Sequence, residues 1–273
     1  MLQASGTIKM SEINVELGRA SDAAISLKKA EDDKDYGTIN HSGGHNGSAP
    51  HKMSEWYSYF HMPNLVEPAG IIELWDARSS ATSTDWDSIY GDDTQMSVAG
   101  AAYNTSTPKN FAFDGTNDYT VTGSTISLGE RWSIAIWMRH TATQGATYDR
   151  LFGMTSFQFE AAEDTTGKIR VYDGDWTIVD GVDLDDGDWQ HVVFTYNSSA
   201  SAGESLKVYE EGSLADTSGD GRTITSKTIY LGSQKNYGEN WAGEIGQFIL
   251  WGQALTSSQV TTLFGNDKGY FVE

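Results

Sequence analysis

Two short stretches combine a stackable ring with oxygen and amide groups: Asp173-Gly174-Asp175-Trp176 and Asn236-Tyr237-Gly238-Glu239-Asn240-Trp241. A sugar ring presents apolar faces that stack on an aromatic, while neighbouring Asp and Asn take its hydroxyls. Backbone freedom at Gly174 and Gly238 would let a ligand approach closely. Trp176, Tyr237 and Trp241 are therefore the expected stacking residues. Asp175 and Asn240 are the expected hydrogen-bonding ones, in loops at a sheet edge. Trp75 and Trp86 also fall in or beside loops. The competing assignment for each tryptophan is packing that closes a core or its rim.

Two other groups suit metals. Asp114, Asn117 and Asp118 flank a tight glycine turn, and Ca²⁺ takes several oxygen ligands. Asp114 and Asp118 are the expected calcium ligands, against the alternative of a solvated turn. The Asp180–Asp188 run does not fit EF-hand spacing. His41, His45 and His51 lie in a Gly/Ser/Asn loop with His61 close by. Such a cluster binds Zn²⁺ or Ni²⁺ if its geometry closes, and is otherwise a polar connector.

The totals narrow the class. The 273 residues include 18 basic and 38 acidic side chains, a net charge of −20. That balance argues against binding nucleic acid through phosphates. There is no cysteine, hence no disulfide framework and no thiolate metal site. No apolar run reaches the roughly 20 residues needed to span a bilayer. Met1–Met10 lacks the charged-then-apolar pattern of a signal peptide, so the chain is expected in the cytosol or released by another route.

Around these residues the elements read as short strands. In Asp188–Asn197, Val192, Phe194 and Tyr196 alternate with His191, Val193 and Thr195. Both sets carry apolar or β-branched groups, which predicts a strand covered on both faces. Further strands are expected at Ile71–Asp76, through Phe111–Val121, at Trp132–Met138, Arg150–Gly153, Phe157–Ala161, Lys168–Tyr172, Ser205–Tyr209, Thr228–Leu231 and Glu244–Trp251. Ser79–Asp93 reads as an acidic loop and Thr256–Phe264 as a short helix capped by Thr. Many short strands with glycine turns predict a two-sheet sandwich.

Residues 1–63 differ in character and form a separate expected region before a domain at 64–273. Met10–Leu17 has helical spacing. Lys9-Met10-Ser11-Glu12 returns as Lys52-Met53-Ser54-Glu55, and the copies lead into Ile13 and Trp56. Two copies do not make a solenoid. Met10, Ile13, Met53 and Trp56 are read as two small docking elements. The region is too short and polar to hold much core, so it is expected to pack on another chain or on symmetry mates. Pro50-His51-Lys52-Met53-Ser54-Glu55-Trp56-Tyr57-Ser58-Tyr59 resembles a segment near the start of tailed-bacteriophage structural proteins, with Lys52 where a small residue is expected.

A second resemblance covers about residues 71–265. Phe113-Asp114-Gly115-Thr116-Asn117-Asp118-Tyr119 resembles the opening of a laminin-G-like, concanavalin A-like jelly roll. Trp132–Trp137 is similar to its next strand. Trp189-Gln190-His191-Val192 is similar to Trp-His-His-Val, and Leu206-Lys207-Val208-Tyr209-Glu210-Glu211-Gly212 to Leu-x-Val-Tyr-Val-Asn-Gly. Gly243–Phe248 is similar to Gly-x-Ile-Asp-Glu-Val, with Gly246 and Gln247 in place of two acids. Leu255–Val260 resembles the closing Leu-Ser-x-x-Glu-Ile helix.

The resemblances imply an all-β, concanavalin A-like two-sheet jelly roll behind a partly helical docking region. In this family one calcium on the sandwich is frequent. Glucanases on this fold place acids at alternate positions of one strand, and no strand here carries that spacing. With no Gly-x-Ser-x-Gly or Walker loop either, the chain is expected to be no enzyme. The function implied is a bacteriophage virion-surface protein that adheres to host glycans, docked on other virion proteins. A homo-oligomer is expected, a trimer foremost, because multivalency strengthens a small docking segment. The rivals are a capsid decoration or head-fibre subunit that binds no sugar, and an enzyme that trims polysaccharide.

Overall fold

The computed structural model describes Lys9 and residues 70–78, 81–91, 94–141, 149–155, 160–163, 167–172, 176–184, 187–219, 222–233 and 240–272. The chain divides into two units, Met1–Ala69 and Gly70–Glu273. The docking residues Met10, Ile13, Met53 and Trp56 and the histidines 41, 45, 51 and 61 fall outside the described residues.

In chain order the strands are β1 Ile71–Asp76, β2 Asp85–Trp86, β3 Ser88–Gly91, β4 Met96–Ala99, β5 Ala102–Asn104, β6 Asn110–Asp114, β7 Tyr119–Thr122, β8 Arg131–His140 and β9 Arg150–Met154. Then come β10 Glu160–Glu163, β11 Lys168–Tyr172, β12 Trp176–Asp183, β13 Gln190–Asn197, β14 Leu206–Glu210, β15 Ser213–Ser218, β16 Ile229–Leu231 and β17 Ala242–Trp251. One helix, α1 Ser257–Phe271, closes the described fold. Every described strand pair is antiparallel. Sheet A runs β15-β14-β13-β8-β17-β1-β3, with β6 on the first half of β17 and β5 on β6. Sheet B runs β12-β11-β10-β9-β16-β7-β4-β2. This is the two-sheet sandwich that the strand pattern predicts, in the jelly-roll form that the family resemblance implies.

The alternation in β13 decides its place. Val192, Phe194 and Tyr196 enter the core between the sheets. Phe152 of sheet B meets Phe194 edge-on at 5.6 Å and lies 5.8 Å from Phe248, so one ring ties two strands of sheet A to sheet B. Among the described residues six tryptophans are fully buried: 75, 86, 132, 137, 241 and 251. Each large apolar side chain removed from water contributes about 1.5–3 kcal/mol.

The other face of β13 is buried because α1 lies across it. Phe264 and Phe271 stack on Trp137 at 5.8 and 4.7 Å. His191 sits 4.9 Å from Trp137 and 5.9 Å from Phe264. The helix starts at a capping box: the Gln259 amide donates to Thr256 Oγ1 and the Thr256 amide donates to Gln259 Oε1. It runs to Phe271, well past the predicted end at Phe264. Gly265 and Gly269 disfavour a helix, but the packing of Asp267 and Phe271 overrides that preference.

Gly246 and Gln247 explain themselves here. The register of β17 against β8 shifts between Ile245 and Gln247, and a Cβ at Gly246 would come within 2.3 Å of Phe271. Gln247 Nε2 donates to Asp76 Oδ2 at 2.9 Å and to Asp267 Oδ2 at 3.1 Å. An acid there would set a third carboxylate against two others. Arg78 completes the cluster, bonded to the Asp76 carboxylate and 2.8 Å from Asp267 Oδ1. Burial pushes the Asp267 carboxyl up, while Arg78 pulls it down.

Several readings of the strands change. Ser79–Asp93, read as a loop, contains β2 and β3. The strand expected at Phe157–Ala161 sits at Glu160–Glu163. β12 occupies a stretch whose Asp and Gly content hides its Ile-Val pair, and polar β15 follows the Glu211-Gly212 turn. Among the described residues no helix is long and apolar enough to cross a membrane.

Candidate functional site

The two sheets differ in what covers them. Sheet A carries α1 on its outer face; the described residues include no such helix on sheet B. In an antiparallel sheet, residues directly opposite one another share a face. One row runs across all eight strands of sheet B: Asp85, Ser97, Val121, Tyr230, Gly153, Glu160, Tyr172 and Trp176. Tyr230 lies between Ile229 and Leu231, both core residues. Tyr172 follows Val171, which like Ile169 faces the core, so Tyr172 faces the other way. The row therefore belongs to the outer face. Tyr172, Tyr230 and Val121 are half-buried and Ser97 is exposed. Tyr119, also half-buried, approaches Tyr230 at 6.1 Å between ring centroids. Glu160 and Trp176 hold the β10 and β12 positions.

A second row lies two residues further along β10, β11 and β12: Arg150, Ala162, Arg170 and Ile178. The register of β9 shifts by one residue there, which brings Arg150 onto the outer face. Arg150 and Arg170 are 6% and 8% exposed. Gly153 adds no side chain between Tyr230 and Glu160. Flat rings on a sheet face suit a ligand with apolar faces and many hydroxyls.

The residues expected from the loops divide. Trp176 opens β12 within the row. Asp175 and Tyr237 fall outside the described residues. Trp241 is corrected: it is fully buried, in the core cluster, with His140 4.7 Å from its ring. Gly243 makes room for it, since a Cβ there would come within 2.5 Å of the indole nitrogen. A buried ring offers no face to a surface ligand. Trp75 and Trp86 are likewise core, and Trp75 donates its indole N–H to the Thr94 carbonyl at 2.9 Å. Asn240 is buried and its amide donates to the Thr116 carbonyl, so it holds the 114–118 turn.

That turn also accounts for the calcium candidates. Asp118 Oδ2 accepts the Asp114 N–H at 2.9 Å, and Asp114 Oδ1 accepts the Thr116 N–H at 2.8 Å. A Cβ at Gly100 would meet Asp118 Oδ1 at 1.9 Å, so the carboxylate is enclosed by its own chain. Burial pushes the Asp118 carboxyl up, against the Asp114 amide that holds it down. Among the described residues no group of three or more His, Asp and Glu could hold a metal. Ca²⁺ takes about six to eight oxygens, and within the described residues the two carboxylates bond to amides of their own turn.

The rows escaped notice in the sequence because Tyr172 and Tyr230 look like ordinary strand residues. Alternation alone would have put both opposite the core face. Their alignment depends on strand pairing, which adjacent sequence does not show.

The pattern that defines the Concanavalin A-like lectin/glucanases superfamily matches residues 113–261. The chain belongs to that superfamily. No curated protein sequence matches it. Among solved structures it is similar to Trypanosoma rangeli sialidase in complex with 2,3-difluorosialic acid, a covalent intermediate. Identity is 17%, the TM-score is 0.58, and the match covers 76% of this chain and 34% of the sialidase. The chain thus spans about a third of the sialidase's length. It is also similar to the binding domain of Paraclostridial Mosquitocidal Protein 1, at 17% identity and TM-score 0.56, over 72% of this chain and 52% of that one. Domain 4 of AbnA, a GH43 extracellular arabinanase from Geobacillus stearothermophilus, in complex with arabinotriose, is 16% identical with a TM-score of 0.52. That match covers 71% of this chain and 98% of the domain.

These matches show the superfamily's sandwich. They also overturn the expectation that the chain is no enzyme. The sandwich matches part of a sialidase as well as binding domains, so the missing paired-acid strand does not separate the two.

Proposed function

We propose that the jelly roll binds carbohydrate on the outer face of sheet B. The observation that carries this reading is the row in which Tyr172 and Tyr230 flank Gly153 and Glu160, with Trp176 at its end. Superfamily membership supports the ligand class. So does the likeness to Domain 4 of AbnA, a domain solved with arabinotriose.

The same reading places the chain on a bacteriophage particle, attached through residues 1–63 and presenting the jelly roll to host-surface glycans. Its support is the Pro50–Tyr59 segment and the repeated Met-Ser-Glu unit. Several copies, most simply three, would multiply a weak sugar contact.

A glycan array probed with the full chain tests the ligand class. Retention on a defined set of glycans is the expected outcome; no retention on any glycan refutes it. Release of reducing ends from a bound polysaccharide would add hydrolysis to binding. For the particle, residues 64–273 alone should fold and fail to incorporate, and full incorporation would count against docking through 1–63.

A further inference from the structure

Beside the first turn of α1, on the face of sheet A that the helix covers, lies a concavity of about 360 Å³. Small-molecule sites begin at about this size. The strand register shows which side chains face it. Thr195 stands opposite Ser133 on β8 and Lys207 on β14, and residues directly opposite share a face. Ser133 Oγ donates to the Gln253 carbonyl and accepts the Leu255 N–H. That row therefore faces the segment leading into α1. Tyr209, two residues along β14 from Lys207, shares the face, and its hydroxyl lies 3.2 Å from Ser257 Oγ. Thr195, Lys207, Tyr209, Thr256 and Ser257 all line the concavity.

The wall is rich in donors. The capping box uses the Gln259 amide, whereas the amides of Ser257 and Ser258 have no acceptor within the helix. The first turn carries no acidic side chain to offset the positive end of the helix dipole. Lys207 is half-buried and forms no ion pair among the described residues. Thr195 points to a ligand independently of the helix end. It is 4% exposed, and its hydroxyl has no hydrogen-bond partner among the described residues. A buried hydroxyl ordinarily has one. An ammonium, a buried hydroxyl and free helix amides in one concavity match a small oxyanion.

We propose that this concavity binds a small oxyanion, a site separate from the outer face of sheet B. Lys207 and the first amides of α1 supply the positive field, and the Thr195 hydroxyl donates to an oxyanion oxygen. Glu204, exposed and also in the lining, opposes the anion and limits its affinity. The oxyanion has two sources in chemistry, inorganic phosphate and the carboxylate of an organic acid. The net charge of −20 opposes any anion at long range, so binding at constant ionic strength has to come from a local site.

Calorimetric titration of the full chain at constant ionic strength separates the two sources. One arm uses sodium phosphate, another sodium succinate, and a third succinamide, which lacks the charge. Lys207→Gln, Thr195→Val and Glu204→Gln are titrated beside the parent, with the melting temperature of each as the check on folding. The expected result is saturable binding of at least one anion, one per chain, and none of succinamide. Lys207→Gln should weaken it about tenfold or more and Thr195→Val about threefold or more, while Glu204→Gln should strengthen it. No saturable binding of either anion overturns the proposal. So does equal affinity in the parent and in folded Lys207→Gln, a variant whose half-buried site keeps the test valid if Thr195→Val fails to fold.

Discussion

Two residues carry chemistry that their neighbours have redirected. Asp118 spends its carboxylate on the Asp114 amide inside its own turn. Asp118→Ala should cost about 1–3 kcal/mol by stranding that amide. The loss should be the same in chelator and in added Ca²⁺, as thermal melts will show; a loss confined to calcium-loaded protein would restore the metal site. His191 is enclosed by Trp137 and Phe264, and burial lowers its pKa from 6.5 to about 3. The unfolded chain takes up a proton near pH 6.5, the folded chain only near pH 3. This histidine's contribution is therefore fully present above about pH 6.5 and is lost as pH falls toward 3, at up to about 1.4 kcal/mol per pH unit. Urea midpoints of parent and His191→Leu should stay parallel above pH 6.5 and diverge below it, with the parent losing more. Parallel profiles down to pH 4 would show that the imidazole is not held neutral.

At the scale of elements, α1 does more than close the chain. Its Asp267 joins Arg78, Gln247 and Asp76 in one buried cluster. Removing one partner from a buried ion pair leaves the other charge unmatched, so Asp267→Ala should cost about 3 kcal/mol. Thr256→Ala should cost about 1 kcal/mol through the lost cap. Chemical denaturation of the two variants checks both, and equal small losses would mean that the cluster adds nothing beyond the cap. The cap was legible because Thr256 and Gln259 lie three residues apart. The length of α1 was not, because Asp267 and Phe271 gain their partners from strands far away in sequence. β13 was legible on both faces from its alternation. β2 has two residues and β15 few buried ones, so neither leaves a pattern to read. The candidate site followed the same rule. Trp176 was proposed from its own composition, whereas Tyr172 and Tyr230 enter the proposed row through a register that spans 58 positions of sequence. Trp241 misled because a ring beside polar loop residues looks alike whether it points into the core or out of it.

Across the described residues of the sandwich, one sheet is covered by a helix and the other carries half-buried tyrosines in one row. That asymmetry is the basis for proposing carbohydrate on the outer face of sheet B. The net charge of −20 should repel acidic polymers at long range, so an acidic glycan should bind more weakly than a neutral one of the same size. Raising salt should then strengthen binding of such a glycan slightly or leave it unchanged, a trend that titrations at 0.05 and 0.3 M salt will reveal. The most direct test of the carbohydrate-binding face is the dissociation constant for the strongest array glycan, measured for the parent and for Tyr172→Ala with Tyr230→Ala. Each lost ring should cost about 1–3 kcal/mol, by analogy with stacking on bases, or roughly 5- to 150-fold in affinity. The account predicts a folded double variant whose binding is reduced at least that far. A folded double variant with the parent's affinity would contradict it and move the sugar away from sheet B.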